Sequence, residues 1–328
     1  MPPNPIWIPI ETKNKKMKVL IISSYIFGYM DFAVEEMKRQ GHEVNILYYD
    51  KPPFVYAYKN TAHKVFSGVK KIFGSNEKKN FRYNYLKKNL SNEKFDKTLI
   101  IHGQYLEERA HIFLKSISRE YIAFFFDSLK KMPRQRNVIN YFDKIYSYEP
   151  VDCEYNNFLF LTNFIPVEAY RSKEFKYYVF NISSLDHRLE TLKNVAKYLK
   201  EKNISFHFRL VNNRLKSLEN FTICPKRIDV KSIYPLFKDA KILVDINRDD
   251  QRGLSFRPFE ALGNEKKLIT NNPEIRNYDF YNPQNIFVFD ENNIQIPDEF
   301  FQTEYISVPV EIYEKYSLRT WVKKVLND

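Results

Sequence analysis

Between Asp245 and Asn272 the chain reads DINRDDQRGLSFRPFEALGNEKKLITNN, its densest set of groups able to do chemistry. An apolar run, KILVDI, leads in; a charged, glycine-bearing turn follows, then a short helical pattern, RPFEALGNEKK, and a second apolar run, LITNN. Strand, polar loop, helix start and strand in that order place ligand groups at the carboxyl edge of a parallel sheet. Arg252 and Arg257 offer forks of fixed donors suited to phosphate, beside the positive end of a helix dipole. Glu260, one turn into the helix, can accept hydrogen bonds from sugar hydroxyls, and it would equally complement the helix N-terminus.

Other reactive side chains fall at the ends of apolar runs. His102 closes FDKTLIIHG, Asp127 closes YIAFFFD, and Glu149 ends FDKIYSYEP, so all three map to the edge where sites form in open α/β sheets. Their structural alternatives are a satisfied loop histidine, an N-cap and a solvated acid. Ser183 and Ser184, in FNISSLDHR, stand at another strand-to-helix junction, where they suit phosphate binding or capping of the helix that follows. Gly28, in the turn after the first strand, faces a cleft or simply makes the turn.

The elements that must position these groups read as two α/β units. KVLIIS, DFAVEEMKRQG and HEVNILYYD make a strand, helix and strand, and FDKTLIIHG, YIAFFFD and FDKIYSYEP continue the first sheet. NFLFLTNFIPVEAYRSKEF reads as the crossing between domains, broken at Pro166. A second unit starts with YYVFNIS, the periodic helix SSLDHRLETLKNVAKYLKEKN and ISFHFRLV, and VEIYEKYSLRTWVKKVL closes the chain as a helix. The expected division is an arm at 1–16, a first domain at 17–165, a second at 166–310 and a C-terminal helix at 311–328.

Hydrophobic residues make up 44% of the 328, enough to bury two cores. No apolar window is long enough to span a membrane, and the first residues lack the order of a secretory signal. Two distant cysteines, Cys153 and Cys224, form no metal-ligand pattern and fit a reduced, cytoplasmic setting. With seven glycines and no GxGxxG or GxxxxGK[ST], the dehydrogenase and P-loop classes are disfavoured.

The net charge of +12 points to an anionic partner, and it is concentrated: residues 59–97 hold 11 Lys/Arg against 3 Asp/Glu. Within that segment Ala62, Val65, Phe66, Val69, Ile72 and Phe73 recur at helical spacing, with Lys64, Lys70 and Lys71 mostly on other faces. This basic amphipathic helix either lies on an anionic membrane surface or turns its apolar stripe into the core. Interleaved aromatics and lysines also suit single strands of nucleic acid, but no recognised motif accompanies them, so no nucleic-acid partner is expected.

The motif Arg257-Pro258-Phe259-Glu260-Ala261, followed by Gly263 and KKLIT and set late in the second of two α/β halves, resembles glycosyltransferases of the GT-B architecture. FFFDSLKKMP and FDKIYSYEPVD are similar to the group-1-like and CgeB-like transferases and to enzymes of bacterial capsule, lipopolysaccharide or O-antigen assembly. The likeness covers nearly the whole chain from Lys18. It implies two Rossmann-like doubly wound domains facing a cleft, a nucleotide-sugar donor on the C-terminal domain and a glycan or lipid-linked glycan acceptor on the N-terminal one. The location it implies is cytoplasmic, at the inner face of the membrane where the acceptor is lipid-linked. Glu260 would hold the donor ribose, Arg257 with Arg252 or Lys266 would neutralise the diphosphate, and Gly253 would let the loop approach the donor closely. Ser183 and Ser184 join the donor side, and Gly28, Asp31 and Glu149 the acceptor side. No cofactor or metal is expected, since fixed cations can stabilise the leaving group and Asp249-Asp250 is not a spaced DxD pair. An inverting enzyme would need Asp127, His102 or Asp31 as base. Retaining relatives carry two glutamates separated by seven residues, and the first of those positions is Arg252 here. That departure supports the alternative of a non-catalytic module binding nucleotide sugar or glycan.

Overall fold

The computed structural model describes residues 15–167, 175–226 and 228–327, apart from the Lys71 side chain. Most of the expected N-terminal arm and part of the domain crossing lie outside the described residues. The first domain holds six strands: β1 (Lys18–Ser23), β2 (Glu43–Tyr48), β3 (Phe95–Ile100), β4 (Ser118–Phe125), β5 (Lys144–Ser147) and β6 (Leu159–Phe160). The second holds six more: β7 (Tyr177–Ser184), β8 (Phe206–Val211), β9 (Phe221–Cys224), β10 (Ala240–Asp245), β11 (Lys267–Thr270) and β12 (Ile286–Val288). Every pairing is parallel, in the orders β2-β1-β3-β4-β5-β6 and β12-β11-β10-β7-β8-β9.

Burial on both faces explains why these strands read as continuous apolar runs. In β1, Val19 and Ile21 belong to one core cluster while Leu20 and Ile22 belong to another. In β10, Ile242 and Val244 face one core and Leu243 the other. The order of strands reverses once in each sheet, between β1 and β3 in the first and between β7 and β10 in the second. Loops leaving the carboxyl ends at such a reversal diverge and open a crevice between them.

The segment NFLFLTNF is more than a crossing: Leu159 and Phe160 pair with Tyr146 and Ser147 as the sixth strand. Strand β9 has no counterpart in the sequence reading, because FTIC is short and only partly buried. Ser183 and Ser184 do not cap the following helix; they are the last residues of β7, and the helix runs Leu189–Glu201 with Asp186 Oδ1 accepting the Arg188 amide at 3.1 Å.

The last helix, Leu318–Asn327, returns to the first domain. Trp321, Val322, Val325 and Leu326 lie buried in the same core as Val19 and Ile21, and the Trp321 ring meets Phe124 and Phe164 at centroid distances of 5.4 and 5.0 Å. Lys97, 7% exposed, donates to the Val325 carbonyl at 3.1 Å. No helix among the described residues is long and apolar enough to cross a membrane. Replacing Trp321 by Ala should cost about 3–5 kcal/mol of first-domain stability through the cavity it leaves. Denaturant unfolding checks this, and a midpoint unchanged from wild type would show that the helix does not support the core.

Candidate functional site

The reversal in the second sheet brings Asp245, at the end of β10, beside the start of the helix Phe256–Gly263. Ser255 caps that helix by accepting the Arg257 amide at 3.1 Å, and its hydroxyl donates to Asp245 Oδ1 at 3.0 Å. The cap fixes the first turn, so Arg257 and Glu260, three residues apart, share one face. Arg257 Nη1 donates to Glu260 Oε2 at 2.8 Å, its Nη2 donates to the Ile182 carbonyl at 3.0 Å, and the guanidinium lies 4.5 Å over the Phe237 ring. Burial pushes both the Glu260 and Asp245 carboxyls upward, and the charge of Arg257 opposes the shift in each.

Across the gap, Tyr29 of the first domain donates its hydroxyl to Glu260 Oε1 at 2.5 Å, and its ring stacks on Phe256 with centroids 3.7 Å apart. From the ends of β3 and β4 come His102 and Asp127, with His102 Nε2 3.4 Å from Asp127 Oδ2. His102 holds a left-handed backbone, φ 60°, a strained setting for a non-glycine residue. Its Nδ1 is buried with no protein hydrogen-bond partner. Burial alone would raise the Asp127 carboxyl, but the hydrogen bond from His102 and the charge of Lys131 hold it well below the usual range. Gln251 of the second domain also donates to Asp127 Oδ1, at 3.1 Å.

Together these groups line an interdomain cavity of about 460 Å³. His102, Asp127, Lys131, Phe27 and Tyr29 face it from the first domain; Asn181, Ser183, Ser184, Arg188, Asp245, Arg248, Arg257 and Glu260 face it from the second. Arg188 pairs with Asp186 at 2.7 Å and donates to the Ile246 carbonyl at 3.1 Å, and Arg248 pairs with Asp250 at 3.0 Å. Among the described residues, no three His, Cys, Asp or Glu side chains gather so as to hold a metal ion.

No protein-family model matches the chain, and no curated protein matches it. Among solved structures it is similar to an alpha-glucosyltransferase in complex with UDP and a 13-mer DNA containing a central A:G mismatch. The TM-score is 0.55 at 15% identity, covering 95% of this chain and 91% of that one. It is also similar to a glycosyltransferase from Rickettsia africae ESF-5, with a TM-score of 0.52 at 12% identity over 95% of this chain and 97% of that one. The fold is GT-B.

Several residues singled out in the sequence lie outside this GT-B cavity. Arg252 turns its guanidinium outward, 66% exposed, to pair with Glu274 at 3.2 Å. Lys266 is buried elsewhere, donating to the Lys238 carbonyl at 2.9 Å, and burial draws its pKa down to about 8. Glu149 is no solvated acid: one of its oxygens accepts the amides of Arg252 and Gly253, at 2.8 and 3.2 Å, across the domain boundary. Gly253 serves an approach between domains, since a Cβ there would lie 2.4 Å from the Tyr148 carbonyl oxygen. Gly28 has φ +92° and packs on Tyr25 and on Asp229 of the other domain, while Asp31 accepts from the Tyr48 hydroxyl.

Conversely, Tyr29, Lys131, Asn181 and Arg248 enter the cavity with no motif to mark them, and Arg188 enters from the FNISSLDHR junction together with Ser183 and Ser184. The signal available was position: the two arginines stand four and three residues past a strand end, in FNISSLDHR and in DINRDD. Gly253→Ala must displace the Tyr148 backbone or part the domains, so it should lower stability by about 1–3 kcal/mol. Calorimetry decides, and an unshifted transition would mean that the loop does not clasp the first domain this closely.

Proposed function

We propose that this protein is a glycosyltransferase that moves a sugar from a nucleotide-diphosphate donor to a hydroxyl of a bacterial surface glycan of the lipopolysaccharide, capsule or O-antigen type. The observation that carries the reading is Glu260, a carboxylate 1% exposed on the cleft-facing side of the second domain and held by one guanidinium. A carboxylate so placed recognises vicinal hydroxyls, and the donor ribose supplies them once Tyr29 gives up its hydrogen bond.

In the proposed reaction the acceptor oxygen bonds to the anomeric carbon as that carbon's bond to the diphosphate breaks, and the electron pair leaves with the diphosphate. Arg188, Arg248 and the amides opening the helix Leu189–Glu201 receive the developing charge in place of a metal ion. Arg257 instead holds Glu260. In an inverting reaction the hydroxyl proton passes to His102. Asp127 is a weak proton acceptor at so depressed a pKa, and it orients the imidazole instead. Lipid-linked acceptors of this kind place the reaction at the inner face of the cytoplasmic membrane.

The test is a thermal-shift panel of nucleoside diphosphates and nucleotide sugars, followed by turnover assays. A ligand at 100 times its Kd should add about 2.7 kcal/mol of stability. Glu260→Ala should abolish that response, whereas His102→Ala should keep it and lose about 10²–10⁴ in turnover. No response to any nucleotide would sink the reading. A normal response with no sugar transfer would favour the non-catalytic binding module, for which the lack of a carboxylate at Arg252 speaks.

A further inference from the structure

The helix Thr61–Ile72 is packed with its polar face inward. His63, Ser67 and Lys70, spaced along one side, turn toward Glu77 of the next helix, Glu77–Leu90. His63 Nε2 and Lys70 Nζ each lie 3.0 Å from its carboxylate, Tyr56 donates to it at 2.8 Å, and Ser67 is buried. The opposite side is left to solvent: Val65 is 64% exposed, Phe66 56%, Val69 45%, Ile72 82% and Phe73 84%. A surface helix ordinarily turns its apolar stripe to the core, and a contiguous apolar patch on the outside marks an interaction site.

We infer that this stripe is a docking surface for an anionic lipid bilayer. Charge and shape select that occupant. Lys64 is exposed on the same helix, Lys59 just before it and Lys78 on the next, within a segment carrying 11 basic residues against 3 acidic ones. Exposed lysines near an outward apolar face are the pattern of helices that lie in the plane of an anionic membrane. Nucleic acid offers bases for aromatic stacking but no hydrocarbon for Val65, Val69 and Ile72. The helical pair is also tied to the cleft. Arg82 donates to the carbonyls of Tyr105 and Tyr49, at 2.9 and 3.2 Å, and the Tyr105 ring lies 5.9 Å from that of His102. Docking would therefore hold the protein on the bilayer through an element fixed to the edge that carries His102. The consequence that the acceptor is presented from the membrane rests on the function proposed above; the docking itself does not.

Flotation of the purified full chain with vesicles of phosphatidylglycerol and phosphatidylcholine in equal parts, against phosphatidylcholine alone, tests the inference. The protein should float with the anionic vesicles. The combined variant Phe66→Ser, Ile72→Ser, Phe73→Ser should bind them roughly tenfold or more weakly while keeping the thermal response to nucleotide. Ile72→Trp gives a second readout: its emission should shift to the blue on anionic vesicles. Failure of wild type to float, undiminished binding by the serine variant, or an unshifted Ile72→Trp emission would overturn the inference. Salt-sensitive binding to an oligonucleotide without vesicle binding would overturn it in favour of nucleic acid. Vesicle binding by a protein that ignores every nucleotide would leave the docking standing and reject only the transferase.

Discussion

The Arg257 guanidinium stands beside two buried carboxylates at the centre of the cleft, and much of the second domain's edge is arranged around that group. Arg257 hydrogen-bonds Glu260, and its charge also acts on Asp245, which the Ser255 and Thr270 hydroxyls and the charge of Arg188 support as well. Removing one member of a buried ionic group leaves uncompensated charge, commonly a loss of about 3–5 kcal/mol. Both acids have pKa values raised by burial, so the native state holds their protons more readily than the unfolded chain does. The contribution of that preference is complete at low pH and fades as pH rises through the raised values. A ligand that donates hydroxyl hydrogen bonds to Glu260 works in the opposite direction, by favouring the ionised carboxylate. The site is thus short of donors, and Tyr29 supplies one of them from the other domain.

That borrowing ties the surroundings of Glu260 to domain geometry. The turn after β10 does not reach toward a ligand with Arg252 and Gly253; it reaches into the first domain. Glu149 accepts two of its amides, Asn163 donates to the Leu254 carbonyl at 2.9 Å, and Ser128 donates to the Asp250 carbonyl at 2.9 Å. Gln251, in the same turn, touches Asp127 directly. The loop between the arginines therefore fixes the distance between the His102–Asp127 pair and Glu260. The local chemistry of both walls depends on the two domains keeping this spacing.

The architecture was legible because parallel strands buried on both faces leave continuous apolar runs, and because cleft groups follow strand ends. His102, Asp127, Arg257, Glu260, Ser183 and Ser184 were found on that rule and do line one cavity. The rule fails where the deciding partner lies in the other domain. Nothing near Glu149 in sequence says that it will accept amides from residues 252 and 253, and nothing near Gly253 names Tyr148 as the atom set that forbids a side chain there. Arg252 and Arg257 are also equivalent as residue types. Only the path of the loop sends one to Glu274 and the other to Glu260.

The basic segment shows a different limit. Amphipathicity fixes that a helix has two faces, not which of them turns inward. Each large apolar side chain left in water forgoes about 1.5–3 kcal/mol of burial, so an outward stripe needs something holding the other side in place. Glu77 provides it. The hydrogen bond from Lys70, then that from Tyr56, draws its carboxyl down to about 2, and His63 and Ser67 complete the cluster. Turning the stripe inward would pull Lys70, His63 and Ser67 away from this acid and set Val65, Phe66 and Val69 against a charged, hydroxyl-lined surface. The polar cluster pins the rotation of the helix, and the exposed stripe is its direct consequence.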